Sequence, residues 1–292
     1  MIGRRRMLYA LVALLPLVLA GPIPTQAGST DATPGAATPT SRPATVSVYF
    51  LRQERRGPRL GAAHREDAVQ SDDLADAAVR ELLLGPTPIE RDAGLTTAVP
   101  ADAAILGLDL DEATNLATVD LSAAFAPDGQ DVEVAQLAQI VFTLTQFPHV
   151  ERVAITVEGQ PLALRDADGN PLPGPATRAD YDHLTPLIFL ESPAPGDTIA
   201  SPVRLWGTAN TFEATFTAEI HDAAGTLLAS QVVTATSGNG VRGTFDVSLT
   251  FDPKSATSGK VVVYEISARD AARQNEVVIP VRFVADSAAE VS

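Results

Sequence analysis

Apolar and polar residues follow two different patterns along the chain, and the pattern changes near residue 186. Within 46–162, segments with the helical period alternate with short strands. The period of 71–84 predicts an amphipathic helix with Ser71 as its N-cap, and Gly85-Pro86 is a strong stop signal. The apolar positions of 132–147 predict a second, more deeply buried helix that ends before a proline.

Strands are predicted around these two helices. They are expected at 46–51, within 59–69, at 106–110, at 117–121 and at 153–157, with a loop at 52–57 and a hairpin turn at 111–115. Two helices with about four or five strands predict an α+β fold with a mixed sheet and both helices on one sheet face.

Beyond residue 186 the pattern becomes one of short alternating strands separated by turns. Alternating segments occur at 203–206, 216–220, 245–251, 262–266 and 277–283. About seven strands in roughly 100 residues is typical of an all-β immunoglobulin-like sandwich. We expect Trp206 and its apolar neighbours to hold this core without a disulfide.

The N-terminus has the organisation of a signal peptide over 1–27, with three arginines at 4–6 and an apolar run at 7–20. That run is too short for a membrane span, so no stable span is expected. Cleavage after Ala27, cleavage after Ala20 and retention as an N-terminal anchor all remain open. In each case the remaining chain is predicted to be exported.

Charge and cysteine content exclude several classes of function. The chain has 36 acidic and 21 basic residues and a net charge of −15, which disfavours nucleic acid and anionic membrane surfaces as partners. Cysteine is absent, which excludes disulfides, thiolate nucleophiles and thiolate zinc sites in this sequence. Because lipid attachment needs a cysteine, we expect an extracytoplasmic protein, secreted or associated with the envelope, that is not a lipoprotein.

Composition divides the chain into six segments. They are a signal peptide (1–27), a disordered Thr/Pro/Ala linker (28–45), a first domain (46–162), a connector (163–185), a second domain (186–284) and a tail (285–292). Arg178 and Tyr181 in the connector are candidates for pinning the two domains together.

No catalytic constellation is recognisable in the sequence. The four histidines are far apart, and neither a Gly-x-Ser-x-Gly elbow nor a phosphate-binding glycine loop occurs. We predict no enzyme, no cofactor and no metal. Asp166, Asp168 and Asn170 imitate the first ligands of a calcium loop, but Pro171 and Thr177 occupy the places of its glycine and glutamate. Calcium binding there is disfavoured, though left open.

A second candidate site is the group Asn210, Phe212 and Glu213, where a phenylalanine stands among polar residues near a strand end. Phe212 is either an exposed contact residue or a residue that closes one end of the sandwich core. In the first case these residues are an interaction site.

Several motifs in the first half together carry a family resemblance. They are the 94–100 strip, the 118–125 strand end, the 139–147 helix end and the 157–160 turn, together with the helix that stops at Gly85-Pro86. In this order, 46–162 resembles the GerMN domain of sporulation and spore-germination proteins. The second half resembles the immunoglobulin-like domain that follows GerMN in some of them, through 192–197, 203–210, 212–213 and 243–245.

The resemblance implies a non-catalytic, exported envelope protein that acts as a scaffold or assembly module of the sporulation or germination type. Its partners would be envelope proteins of unspecified identity. The alternative is a peptidoglycan-binding accessory module of a cell-wall hydrolase system. Unlike well-known members, the chain has one GerMN copy and no anchor cysteine, so a specific part in germination, and even whether the host sporulates, do not follow. Oligomeric state is also left open.

Overall fold

A computed structural model describes residues 44–67, 74–127 and 132–284, which belong to one compact unit. In chain order its helices and strands are β1 (Ala44–Glu54), β2 (Gly57–Asp67), α1 (Leu74–Leu84), α2 (Pro88–Asp92), β3 (Leu95–Thr96), β4 (Ile105–Asp111), β5 (Leu116–Leu121), α3 (Val134–Leu144), β6 (Arg152–Val157), β7 (Gln160–Pro161), β8 (Ile188–Ser192), β9 (Thr198–Ile199), β10 (Val203–Ala209), β11 (Thr215–Asp222), β12 (Leu227–Thr234), β13 (Gly243–Leu249), β14 (Ser258–Ile266) and β15 (Arg273–Phe283). The predicted signal peptide, nearly all of the linker, the Ser71 cap and the tail lie outside the described residues.

The strands form four sheets, so the described part of the chain is mostly β, with its α-helices in the first half. The first half has a three-stranded sheet (β2-β1-β3) and a mixed four-stranded sheet (β4-β5-β6-β7). The second half has a three-stranded sheet (β13-β10-β8) and a five-stranded sheet (β12-β11-β14-β15-β9). None of the helices in these ranges has the length and apolar content that crossing a bilayer requires.

The first half differs from the sequence prediction in its sheets. Two sheets share one core with the helices, where a single sheet was predicted. The predicted loop at 52–57 is mostly strand, because β1 and β2 form a hairpin that turns only at Arg55-Arg56. A bulge at Leu106 moves that residue out of the alternation, so Ile105 and Leu108, not Leu106 and Leu108, share a face.

Helix α3 is the centre of the first core. Its residues Gln136 to Leu144 are all buried, which matches the dense apolar pattern of this segment. Gln139 is one of the polar residues there, and its side chain joins three elements. The Oε1 atom accepts the Ala98 N–H at 2.9 Å, and Nε2 donates to the Tyr49 carbonyl at 3.0 Å and to Thr97 Oγ1 at 3.1 Å.

Replacing Gln139 with leucine is expected to lower the free energy of unfolding by about 2 kcal/mol, because the Ala98 N–H and the Tyr49 carbonyl lose their buried partner. Urea unfolding measures the change. Gln160→Leu is the matched control, since Gln160 is exposed on β7. Equal stability of the two variants would contradict this account of Gln139.

The second half has its own core, formed between its two sheets. Inward-facing residues of β10, β11, β13, β14 and β15 contribute, and Phe216 and Phe245 meet edge to face with ring centroids 4.8 Å apart. Trp206 is not among them. It lies on the face of β10 opposite to Leu205 and is only partly buried, so the prediction that Trp206 holds this core is wrong.

Candidate functional site

Strand β8 connects the two halves of the described structure through its two faces. Ile188 and Leu190 point into the second core, whereas Phe189 between them belongs to the first core. The Phe189 ring lies 6.0 Å from the rings of both Tyr49 and Phe142, centroid to centroid. Since side chains alternate across a strand, a single five-residue segment fills two cores. The two halves are therefore joined by packing as well as by the chain.

A buried ion pair lies beside these aromatic rings. Glu191, next on the same face of β8, has a side chain that is only 4% exposed. Arg178 Nη1 donates to its carboxylate at 3.2 Å, and the Tyr49 hydroxyl donates to the same group. Arg178 also donates to the Phe142 carbonyl at 3.2 Å and to Thr145 Oγ1 at 2.8 Å, so its guanidinium is held from both halves.

Burial, reinforced by the charge of Glu191, raises the pKa of Tyr49 far above its usual value. Burial alone would lower the pKa of Arg178, but its interactions with Tyr49 and Glu191 outweigh that effect and raise the pKa. Tyr49 therefore stays neutral and Arg178 stays charged at physiological pH. We call Tyr49, Arg178, Phe189 and Glu191 the junction cluster. Its polar groups satisfy one another, which suits a structural clamp and leaves no free nucleophile or base.

Further contacts hold the same junction. His64 Nδ1 on β2 lies 2.8 Å from the carboxylate of Asp197, which also accepts the Ala194 N–H at 2.8 Å. Gly196 has φ +90°, and a Cβ there would lie 3.1 Å from the side chain of Ile89 on α2. The junction therefore extends along the loop before β9.

The predicted connector is part of this arrangement. Tyr181 is fully buried in the first core, and Ala176 forms an antiparallel bridge with Val153 of β6. Asp182 pairs with Arg242 from the second half. Of the two predicted pinning residues, Arg178 spans the halves directly, whereas Tyr181 anchors the connector to the first core.

A second cluster of charged groups lies on the outer face of the five-stranded sheet. Glu219 accepts hydrogen bonds from the Tyr264 hydroxyl (2.7 Å) and Arg273 (3.0 Å), and its other oxygen lies 2.8 Å from His221 Nε2. Burial raises the pKa of Glu219, but these partners outweigh it and lower the pKa overall. Arg273 covers the Tyr264 ring at 3.9 Å. Each oxygen of the carboxylate already has a close partner, so the cluster suits a structural role.

The predicted interaction residues lie together in a tight loop between β10 and β11. The ring of Phe212 is 62% exposed, so it does not close the core. Its backbone is fixed, because the Phe212 N–H donates to buried Glu265 at 2.9 Å and the Glu213 N–H donates to Asn239 Oδ1 at 3.0 Å. Asn210 Oδ1 accepts the Gly240 N–H at 2.8 Å and thus has a structural role.

The conformation of this loop is unusual. Glu213 and Ala214 both have positive φ, near +53° and +57°, which costs energy for residues with a Cβ. Gly238 of the facing loop allows the close approach, since a Cβ there would lie 2.5 Å from the Thr211 carbonyl. We call 210–214 and 237–241 the tip loops. They fix the backbone from which the exposed Phe212 ring projects.

The calcium candidates occupy a hydrogen-bonded turn. The Asp166 carboxylate accepts the N–H groups of Asp168 (2.9 Å) and Asn170 (2.8 Å) and the Asn170 side chain (3.1 Å). The side-chain bond from Asn170 is the main reason that the pKa of Asp166 is lowered. These three hydrogen bonds explain why an aspartate occupies this position of the turn without any need for a metal ion. Within the described ranges, no three His, Asp or Glu residues are grouped so as to hold a metal ion.

Sequence reasoning missed Tyr49 and Glu191. Tyr49 was predicted only as part of an apolar strand, and Glu191 received no role. The available signal was the carboxylate that directly follows the apolar run of 186–190. A glutamate in such a position needs a buried partner.

The described part of the chain is thus rich in β-structure, with two pairs of sheets, a junction closed by a buried ion pair and an exposed loop, and no catalytic group is assembled within it. Residues 47–163 match the family model for Germane, described as sporulation and spore germination. Residues 187–272 match Gmad2, described as the immunoglobulin-like domain of bacterial spore germination. Residues 47–163 are therefore identified as a GerMN domain, and residues 187–272, which follow it, as a Gmad2 domain. Neither description names a catalytic activity.

A curated relative matches part of the chain. Lipoprotein LpqB of Cutibacterium acnes is 31% identical over 124 residues, which are 42% of this chain. The chain spans only about a fifth (20%) of the length of that relative.

Solved structures of GerMN domains are also similar. The tandem GerMN domains of GerM from Bacillus subtilis share 23% identity at a TM-score of 0.40, covering 51% of this chain and 49% of that one. The first GerM domain alone shares 21% at a TM-score of 0.36, covering 47% and 98%. A crystal structure titled as a lipoprotein from Clostridium perfringens shares 21% at a TM-score of 0.29, covering 51% and 97%.

These names correct one prediction. The expectation that the protein is not a lipoprotein is wrong, because LpqB, a relative that is 31% identical over 124 residues, is named a lipoprotein. The prediction rested on the absence of cysteine from 292 residues. A single missing residue type is too narrow a basis for excluding a class to which a relative belongs.

Proposed function

We propose that this protein is an exported, non-catalytic scaffold of the bacterial cell envelope, of the sporulation or germination type, that acts through protein contacts. The observation that carries the proposal is the tip loops. Their hydrogen bonds, the close approach at Gly238 and two positive-φ residues fix the backbone that carries one exposed aromatic side chain, Phe212. Aromatic residues, phenylalanine among them, are enriched at protein interfaces relative to the rest of the surface.

We further infer the domain division 46–162, 163–185 and 186–284. The first domain would be a GerMN-type module with two main helices, α1 and α3, and the second an immunoglobulin-like sandwich. This division is supported by the cores, because the two sheets of the second half share a core that is separate from the core of the first half. In this proposal the junction cluster fixes the second domain on the first, so that the tip loops are presented in a constant direction.

Photocrosslinking in the producing cell tests the proposal, with benzoylphenylalanine in place of Phe212. A single adduct of discrete mass is expected, and excess unlabelled protein should suppress it. The control places the same probe at Leu84, which is 77% exposed at the end of α1. Adducts of equal yield at both positions, or none at position 212, would contradict the proposal.

Phe212→Ala is expected to change the free energy of unfolding by less than about 0.5 kcal/mol, because the ring is exposed. As an unlabelled competitor it should suppress the position-212 adduct at least about tenfold less well than the parent protein, since an anchor residue contributes a few kcal/mol. Competition titrations measure this. Equal competition by Phe212→Ala and the parent would show that the ring is not the contact.

The peptidoglycan alternative has weaker support. Sugar platforms use exposed aromatic rings, and Phe212 is the one exposed aromatic residue in the described ranges. Co-sedimentation of the full chain with intact peptidoglycan, at low and high salt, separates the two functions. No retention and no released fragments are expected. Retention without fragments would favour the glycan-binding module, and released fragments would reveal an enzyme.

A further inference from the structure

Strand β12 is an unprotected sheet edge. It forms the outer strand of the five-stranded sheet, and within 44–67, 74–127 and 132–284 no strand pairs with its free side. A register shift at Leu228 affects only its start, which leaves 229–234 regular. In an antiparallel edge strand, alternate residues direct their N–H and C=O groups away from the sheet. Those groups need a partner, which is either water or another strand.

The composition of this edge favours another strand. Residues 223–241 contain no Asp, Glu, Lys or Arg, although charged residues make up 20% of the chain and its net charge is −15. Leu227 and Val232 on β12 are 52% and 67% exposed. The sequence LLASQVVT also lacks proline, and its last three residues favour strands. Such an edge has none of the charges that normally prevent pairing.

The other edges in the described part are protected. β3, β7 and β9 are two residues long, and β2, β4, β8 and β13 each contain at least one charged residue. In addition, β4 carries the Leu106 bulge, and β8 packs against the first half. Among the edge strands of the described part, β12 is therefore the one that is longer than two residues and carries no charged residue.

We propose that β12 pairs antiparallel with β12 of a second copy of this chain, about a two-fold axis near Gln231. Two copies of a strongly acidic protein repel each other over most of their surfaces, and the uncharged 223–241 segment is a place where they can approach without that cost. Pairing would join two five-stranded sheets into one continuous sheet. It uses a surface other than the Phe212 ring, and it does not depend on the proposed function.

Sedimentation equilibrium of the full chain tests the pairing. We expect a monomer–dimer equilibrium with a dissociation constant of about 10–100 μM, since one strand pair is a small interface. Val232→Lys places two like charges close to the axis and should weaken the dimer at least about tenfold. Val284→Lys is the matched control, because Val284 is 49% exposed but follows β15, outside 223–241, and it should dimerise like the parent. A monomeric parent, or equal behaviour of the two variants, would overturn the proposal.

The absence of cysteine makes a second test specific. Gln231→Cys places one thiol at the proposed axis, directly opposite its counterpart in the second copy, and Ser255→Cys places one in the exposed loop between β13 and β14. Mild oxidation should produce disulfide-linked dimers of Gln231→Cys several-fold faster than of Ser255→Cys. Equal rates would overturn the assignment of β12, even if the parent protein dimerises through another surface.

Discussion

Arg178→Ala is expected to lower the free energy of unfolding by about 3 kcal/mol. The substitution leaves Glu191, 4% exposed, without its only cation within the described residues, and it removes donors to the Phe142 carbonyl and Thr145. A value near the lower end of the usual range for a broken buried pair is expected, because the Arg178 side chain is itself 31% exposed and water can enter its place. Urea unfolding followed by circular dichroism gives the value.

Arg204→Ala is the matched control. Arg204 pairs with Asp246 at 2.7 Å, but both side chains are largely exposed, so its replacement should leave the urea midpoint unchanged. The double variant Arg178→Met with Glu191→Leu removes both charges and should be more stable than Arg178→Ala alone. If Arg178→Ala and Arg204→Ala unfold at the same urea concentration, burial of Glu191 is not what makes the junction pair important.

Local signals explain what the sequence predicted well. Helices α1 and α3 were predicted because an apolar period and a stop signal lie within the same short segment: Gly85-Pro86 after α1, and Pro148 shortly after α3. Most strands of the second half were predicted for the same reason, since alternation is read within five or six residues. These features need no knowledge of distant parts of the chain.

The junction could not be predicted in that way. Ile188, Phe189 and Leu190 are all apolar, and the sequence does not show that the middle one belongs to a different core. Trp206 was assigned to the core together with its apolar neighbours, whereas the register of β10 places it on the other face. Which face of a strand packs against which neighbour depends on the pairing of residues that are far apart in the sequence. A shift of that pairing by one residue turns every side chain of the strand to the opposite face.

The tip loops contain one feature that the sequence indicated and one that it could not indicate. The sequence left open whether Phe212 is exposed or closes the core, and the polar residues around it correctly indicated that it is exposed. The positive φ values of Glu213 and Ala214 follow from contacts with Gly238 and Asn239, about 25 residues further along the chain, and no local signal announces them. The edge strand β12 was not predicted as a strand at all, because half of its positions are exposed.

Phe189→Ala is expected to have the largest effect on how the two halves unfold. Removing a buried phenylalanine costs about 3–5 kcal/mol, and here the lost contacts are those with Tyr49 and Phe142 in the opposite half. Because each half keeps its own core, loss of the bridge should separate one cooperative transition into two. Differential scanning calorimetry measures this as a calorimetric enthalpy that exceeds the van't Hoff enthalpy.

Leu190→Ala distinguishes coupling from simple destabilisation. Leu190 is adjacent to Phe189 and equally buried, but it points into the second core, so its loss should destabilise that half while the contact across the junction remains. A single transition for Leu190→Ala and two for Phe189→Ala would assign the coupling to the Phe189 side chain. If both variants unfold in one transition, the chain's two halves are coupled mainly by Arg178, Glu191 and His64, and apolar packing at β8 contributes stability but not cooperativity.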